Sequence, residues 1–408
     1  SLAVTVLLYL TYEPLSALGR TLADLLGLIT FSTPKIAAGP ANLRILIFNW
    51  RDTKHVWAGG AEEYIHQIAK GFIKEGHLVT VFCGNDGKSV STEVIDGVQI
   101  VRRGGFYTVY VWAFLYYILK LRGKFDLIID SENGIPFFTP LYIKKPIIGL
   151  VHHVHQEVFR AHLSFPLAQI AEFLEGKLMP FVYKNTKFIT VSNSSKEAME
   201  ALSLGKKLEI SIINPGVDLL KFKASKKTED PSIFYLGRLK PYKSVDRLIN
   251  AFSHVIKDIP NATLTIAGEG ESRLELEEMT LKLGLTNAVK FLGKVSERAK
   301  AELLASSWML AQPSKIEGWG ITVIEANAAG TPVIASDVPG LRDSVRNPHT
   351  GLLVTWDNQE KWVDAIVKVI RDEDFRKSLE QEAQLWSKNF SWQNSTDKFL
   401  EIIQKRTK

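Results

Sequence analysis

Cysteine is nearly missing from this chain: 408 residues contain one, Cys83. No internal disulfide can form, so the bridged scaffolds of secreted proteins are excluded and the cytosol is the default compartment. A membrane-spanning helix needs about 20 apolar residues, and the apolar run at 2–12 is stopped short of that by Glu13 and Pro14. Low-complexity tracts and short-period repeats are absent, which argues against linkers and solenoids. No zinc-finger spacing occurs, and no Arg/Lys run is interleaved with aromatics. Nucleic acid is therefore a poor partner for the net charge of +6. A phosphate-bearing ligand on an anionic membrane face accounts for that charge equally well.

Apolar residues make up 46% and charged residues 23%, as in a soluble globular protein. The length exceeds one ordinary core and fits two domains. Two stretches bear on membranes. Residues 15–31 continue the N-terminal apolar character, interrupted by Arg20 and Asp24, as on an amphipathic interfacial helix. A truncated spanning helix or signal anchor remains an alternative for this segment. Residues 107–121 are rich in Tyr, Trp, Phe and Leu and are flanked by Arg102, Arg103, Lys120, Arg122 and Lys124. That composition suits a core helix and an interface-seeking one equally. Together the two stretches predict peripheral attachment to the cytoplasmic face of an anionic membrane.

From Arg44 onward, short apolar runs alternate with amphipathic segments. Strands are expected at 44–49, 78–83, 98–101, 127–130, 146–151, 188–191 and 209–214, with a helix at 60–74. Many are continuous Val/Ile/Leu runs, the mark of parallel strands covered on both faces. A polar stretch at 223–231 breaks the pattern. It restarts with strands at 232–236, 262–267, 289–292, 310–312 and 332–335, and helices at 244–256 and 271–283. The expectation is α/β, with two Rossmann-like domains facing across a cleft: an apolar N-terminal segment over 1–40, an N-terminal domain over 41–218, a C-terminal domain over 219–388, and a final helix within 389–408. In open parallel sheets ligands bind beyond the carboxyl ends of the strands.

The sharpest chemical signal is Glu317-Gly-Trp-Gly-Ile-Thr-Val-Ile-Glu325. Gly318 and Gly320 permit a tight loop. The amides of Ile321, Thr322 and Val323 then open a helix, whose unpaired N–H groups and dipole suit a diphosphate. Glu317 precedes the helix and Glu325 lies about one turn into it. The two carboxylates can serve opposite ends of a nucleotide sugar, whose ribose diol a carboxylate can accept. In Gly237-Arg-Leu-Lys-Pro-Tyr-Lys243, Arg238 and Lys243 follow a strand and either reach a diphosphate or sit as solvated basic residues. Gly59 and Gly60 open a helix in a way that admits phosphate or sugar, a weak signal alone. His152-His153-Val-His155 follows a strand. Its spacing matches no standard zinc pattern, so no metal is expected there. The remaining readings are a hydrogen-bonded edge histidine and one that contacts sugar or acceptor.

These residues, with Asn214-Pro-Gly-Val-Asp218 and Ala329-Gly-Thr-Pro-Val-Ile-Ala335, resemble family 4 of the retaining glycosyltransferases, of the GT-B fold, from about Arg44 to the C-terminus. The resemblance implies that Arg238 and Lys243 bind the donor diphosphate and Glu325 the ribose. It places Glu317 by the donor sugar, and His152, with His153 as second choice, near the reacting centre. It implies transfer from a nucleotide diphosphate sugar with retention, no required metal or other cofactor, and a final helix crossing back onto the first domain. An apolar, basic-flanked surface then makes a lipid-linked or glycan acceptor the expected partner. One departure is Lys243-Ser244 where Lys-Gly is commoner, a change expected to be tolerated. Two other functions fit the same fold. An epimerase acting on nucleotide sugars would need no acceptor, and the Glu317/Glu325 spacing argues against it. A non-catalytic sugar-nucleotide subunit would usually have lost the charged residues that this chain retains.

Overall fold

The structure, a computed structural model, describes residues 42–204 and 210–407. The apolar stretches at 2–12 and 15–31 lie outside the described residues. The chain divides into two compact units. The first takes residues up to Thr190, Lys196–Ile212 and from Thr396 on; the second takes Val191–Ser195 and Ile213–Ser395.

In the first unit the elements run β1 (Arg44–Phe48), α1 (Gly60–Lys74), β2 (Leu78–Cys83), β3 (Thr92–Ile95), β4 (Val98–Arg102), α2 (Val109–Tyr116), β5 (Leu127–Glu132), β6 (Ile147–Val151), α3 (Gln156–His162), α4 (Leu167–Phe173), α5 (Met179–Val182), β7 (Lys187–Thr190), α6 (Asn193–Ala201) and β8 (Ile210–Ile212). The sheet order is β3-β4-β2-β1-β5-β6-β7-β8. Every pairing is parallel except β3 with β4. Ile45, Leu46, Ile47 and Phe48 of β1 are all fully buried, which is why this central strand reads as an unbroken apolar run.

The second unit runs β9 (Ser232–Leu236), α7 (Val245–Asp258), β10 (Thr263–Ala267), α8 (Arg273–Lys282), β11 (Val289–Gly293), α9 (Glu297–Ser306), β12 (Met309–Gln312), α10 (Ile321–Ala328), β13 (Val333–Ser336), α11 (Pro339–Ser344), β14 (Gly351–Val354), α12 (Gln359–Arg371) and α13 (Glu373–Ser387). Its sheet is all parallel, in the order β11-β10-β9-β12-β13-β14. Helix α7 shows why such segments fold as they do. Its buried Val245, Leu248, Ile249, Phe252 and Val255 recur at helical spacing and pack onto the sheet core. Side-chain caps start α9, α12 and α13, where Ser296, Asn358 and Asp372 accept from the amide three residues on.

Renumbered within each unit's parallel strands, the second sheet has the order 3-2-1-4-5-6 of dinucleotide-binding folds, and the first has the same order with a seventh strand, β8, added at the edge. The switch points lie between β1 and β5, and between β9 and β12. The last helix, α14 (Trp392–Thr407), begins among second-unit residues and ends in the first. There Phe399 packs edge-on to Phe72 of α1, with ring centroids 5.5 Å apart. A Cβ on Gly71 would lie 2.1 Å from Thr396 Oγ1, so α1 has a glycine where α14 presses on it.

Candidate active site

In the second unit, the loops leaving β9 and β12 meet at the switch point. Lys315 N–H donates to Tyr242 O at 2.8 Å, joining the two loops. Lys243 and Glu317 form an ion pair there, their side chains only 12% and 18% exposed. Ser314 Oγ also donates to Glu317, at 3.2 Å. Arg238 is fixed by Tyr242, whose hydroxyl lies 2.7 Å from its Nη2. One locus thus holds two cations and one carboxylate, a net positive charge.

The same β12 loop leads into α10. Gly320, the N-cap, has φ +83°, a left-handed conformation suited to glycine. A Cβ there would stand 3.0 Å from Leu341 Cδ2. Of the three amides expected at the helix mouth, Val323 N–H already donates to Gly320 O at 2.9 Å, a tight first turn. That leaves Ile321 and Thr322, both half-buried, as the amides ahead of it. Gln312 Nε2 bonds Thr322 Oγ1 at 2.7 Å and Leu236 O at 3.0 Å, tying this turn to both strands of the switch point.

Glu325 is buried and bound by Lys300 of α9 at 2.8 Å. Burial alone would pull the Lys300 ammonium down, but Glu325 and Glu297 outweigh it and hold its pKa above the usual value. Lys300 was not singled out in the sequence, because the two helices meet only in the fold. Gly340 was likewise missed. A Cβ there would lie 2.3 Å from Glu317 O and 2.5 Å from Gly318 C, so the start of α11 supports the glutamate loop backbone to backbone. Ser244 has φ +52° as the N-cap of α7, which explains why glycine is the commoner residue after such a lysine.

In the first unit, Gly60 is exposed at the start of α1, and Gly59 N–H donates to Glu62 at 2.7 Å. Glu62 is buried and also takes Arg51 and Asn133 Nδ2, each at 3.0 Å, which links the loops after β1 and β5. Both histidines follow β6. His152 is buried, 3.2 Å from Ser131 Oγ and edge-on to Tyr64. Desolvation lowers its pKa to about 3, so the ring is neutral at physiological pH. His153 is half-buried, and its ring lies against that of His155 at 3.8 Å between centroids, the planes tilted by 35°.

The expected basic flank of the 107–121 segment is corrected at one end. Arg102 and Arg103 are buried: Arg102 pairs with Asp52 and Glu93, and Arg103 bonds the carbonyls of Ser91 and Arg102. The segment itself has two faces. Trp112, Ala113, Tyr116, Tyr117 and Leu121 face the core, while Val111, Phe114, Leu115 and Leu119 are exposed. Among the described residues no helix is long and apolar enough to cross a membrane.

Comparison with known proteins gives consistent results. Residues 217–386 match the model for glycosyl transferases group 1, and residues 58–220 match glycosyltransferase family 4. A D-inositol 3-phosphate glycosyltransferase of Rhodococcus erythropolis is 30% identical over 277 residues, 63% of each chain. The chain spans from about half to 63% of the length of the first such relatives it matches. An uncharacterised glycosyltransferase of Methanocaldococcus jannaschii is 30% identical over 385 residues, 86% of this chain and 95% of that one. Among solved structures, sucrose-phosphate synthase of Thermosynechococcus elongatus superposes with a TM-score of 0.76 at 20% identity, over 89% of this chain and 99% of that one. HepE of Anabaena, in complex with UDP and glucose, gives 0.73 at 19%, over 89% and 100%. Two Rossmann-like units, a site at the second unit's switch point and these likenesses together place the chain in glycosyltransferase family 4, with the GT-B fold.

Proposed function

We propose that the protein transfers a sugar from a nucleotide diphosphate donor to an acceptor hydroxyl, with retention of anomeric configuration and without a metal in the chemistry. The observation that carries this reading is the convergence of the β9 and β12 loops, which bring Lys243, Arg238 and Glu317 to the switch point beside the start of α10. The C1–O bond to the donor phosphate breaks and its electron pair moves onto the diphosphate. Lys243, Arg238 and the Ile321 and Thr322 amides stabilise that growing charge. The acceptor oxygen bonds C1 from the same face, and its proton passes to the departing phosphate oxygen. Glu317 serves the sugar and its Lys243 partner, and Glu325, oriented by Lys300, takes the ribose. In the first unit, neutral His152 acts as a hydrogen-bonding group near the reacting centre. The UDP in HepE supports a uridine donor.

The acceptor in this reading is lipid-linked or a glycan, within cell-surface polysaccharide or glycolipid synthesis, and the protein attaches peripherally to the cytoplasmic leaflet. Support comes from the exposed Val111, Phe114, Leu115 and Leu119, next to exposed Arg122 and half-buried Lys120 and Lys124, which pair apolar burial with attraction to anionic lipid. The test of transfer is release of nucleoside diphosphate from a panel of nucleotide sugars, with and without lipid and glycan acceptors. Acceptor-dependent release is expected. Epimerisation of the sugar with no acceptor present would overturn the reading. Attachment is tested by flotation with anionic liposomes at low salt, where Phe114→Asp with Leu119→Asp should leave the protein at the bottom of the gradient.

A further inference from the structure

The first unit buries a second polar cluster, built from three separate elements. Glu132 ends β5, His155 precedes α3, and Glu175 sits in the wide turn Leu174–Leu178 that follows α4. His155 Nδ1 lies 3.6 Å from an oxygen of each carboxylate. One ligand atom from each residue falls within 4.8 Å of the other two. Two donors bound at about 2.0–2.2 Å to one tetrahedral ion stand about 3.4 Å apart, close to the spacing found. We propose that Glu132, His155 and Glu175 hold a divalent ion of the zinc class, which pins the 155–182 segment to the end of β5.

Charge balance points the same way. Glu132 and Glu175 are each 1% exposed, and His155 is 6% exposed. No lysine or arginine among the described residues pairs with either carboxylate. An ionised carboxylate held out of water without a counter-charge costs several kcal/mol. Either a proton or a cation must reside in the cluster.

The hydrogen bonds favour the cation. Both oxygens of Glu175 are oriented from outside, by His155 N–H at 2.6 Å and Gln156 Nε2 at 2.7 Å, as the supporting bonds of a metal ligand are. One Glu132 oxygen accepts from Gly134 N–H at 3.2 Å. Its other oxygen, Oε2, is buried and has no hydrogen-bond partner. A protonated acid pair would be expected to use that oxygen in a carboxyl–carboxylate hydrogen bond. One imidazole and two carboxylates suit zinc, cobalt or manganese. Calcium wants six to eight oxygens and magnesium keeps several waters, neither of which this closed cluster supplies. The wide turn carrying Glu175 fits too, since one-turn expansions of this kind recur at functional positions. The ion is structural and independent of the transfer chemistry, so it stands or falls apart from the proposed activity.

The test uses the full chain, stripped by chelator in mild denaturant and dialysed back with Zn²⁺ or Co²⁺. After desalting, about one ion per chain should remain, the melting temperature should exceed that of the metal-free chain, and the cobalt form should show the visible absorption of a four-coordinate site. Glu132→Gln and Glu175→Gln keep side-chain shape, and each should cut the retained ion roughly tenfold or more. His349→Ala, which removes an exposed histidine of the second unit, should leave it unchanged. A wild-type chain that retains no ion holds a shared proton instead, and overturns the proposal. So does retention that survives both glutamine variants, or a cobalt spectrum of octahedral type.

Discussion

Glu317→Gln separates the two tasks of the switch-point pair. In the folded chain Lys243 is committed to Glu317, in surroundings only 12% and 18% exposed. A charge-assisted hydrogen bond of this kind contributes about 1.5–3 kcal/mol. A diphosphate that recruits Lys243 must therefore share it with Glu317. Glutamine keeps the shape and an acceptor for Ser314 Oγ but removes the competing charge. If part of the pair's energy is recovered, roughly 0.6–1.4 kcal/mol, bare nucleoside diphosphate should bind about 3- to 10-fold more tightly. Turnover should fall meanwhile by about 10²–10³, the usual loss when a group poised on transition-state charge is removed. Lys243→Ala should lose turnover on a similar scale, and by a larger factor than it loses donor affinity, because leaving-group charge grows as the bond breaks. Calorimetric titration with UDP beside steady-state kinetics reads both numbers. Tenfold weaker UDP binding by Glu317→Gln, or Lys243→Ala turnover within threefold of wild type, would refute this reasoning.

Three other outcomes follow from particular backbones and burials. Ser244→Gly relieves a left-handed serine, a strain of roughly 1–2 kcal/mol for an L-residue, partly offset by glycine's freedom in the unfolded chain. A net gain of roughly 0.5–1 kcal/mol should raise the second unit's melting temperature by about 1–4 °C in calorimetry. Gly320→Ala meets both φ +83° and Leu341 at 3.0 Å, and should cost about 1–2 kcal/mol in denaturant titration while weakening UDP binding. His152 titrates near 3 folded against about 6.5 unfolded, so the unfolded chain binds the extra proton between these values. Stability should then fall as pH drops through that window, by up to about 1.4 kcal/mol per unit, and a slope in urea titrations that His152→Gln leaves unchanged would sink this assignment.

The central strands were legible because burial on both faces keeps them largely apolar: β1, β2, β5, β6 and β9 all fall where apolar runs lie, although β5 ends in the buried polar residues Asp130, Ser131 and Glu132. Strand β3 was not. Thr92, Glu93, Val94 and Ile95 are partly exposed at an antiparallel edge, so their composition carries no strong burial signal. Arg102 and Arg103 looked like a solvated basic flank because a sequence does not reveal that Asp52, 50 positions away, lies opposite Arg102. Spacing along 152–155 gave no reason to expect a metal, since the partners Glu132 and Glu175 come from other elements. Lys243 and Glu317 each announced themselves through local glycine patterns, but that one pairs with the other is a property of the switch point, 74 residues apart.

The two units share a strand order and yet present different chemistry at their switch points, and the difference lies in what the loops do with their own charges. After β1 and β5, buried Arg51 is neutralised by buried Glu62, and Asn133 completes the tie. That arrangement holds the loops together and offers an incoming anion no net charge. After β9 and β12, Glu317 balances only one of two half-buried cations, and a helix N-terminus begins three residues beyond it. Close glycine contacts pack the loop after β10 against the loop after β9: a Cβ on Gly268 would lie 1.8 Å from Gly237 O, and one on Gly270 would lie 2.1 Å from Leu239 O. The scaffold is common to both, so a diphosphate should choose the second unit on electrostatic grounds. Swapping the sign of that balance tests the point directly. Arg238→Glu turns a net positive locus negative while leaving the sheet untouched, and UDP affinity should fall by at least about tenfold, with weaker dependence on salt. Unchanged affinity would mean that the phosphate binds elsewhere.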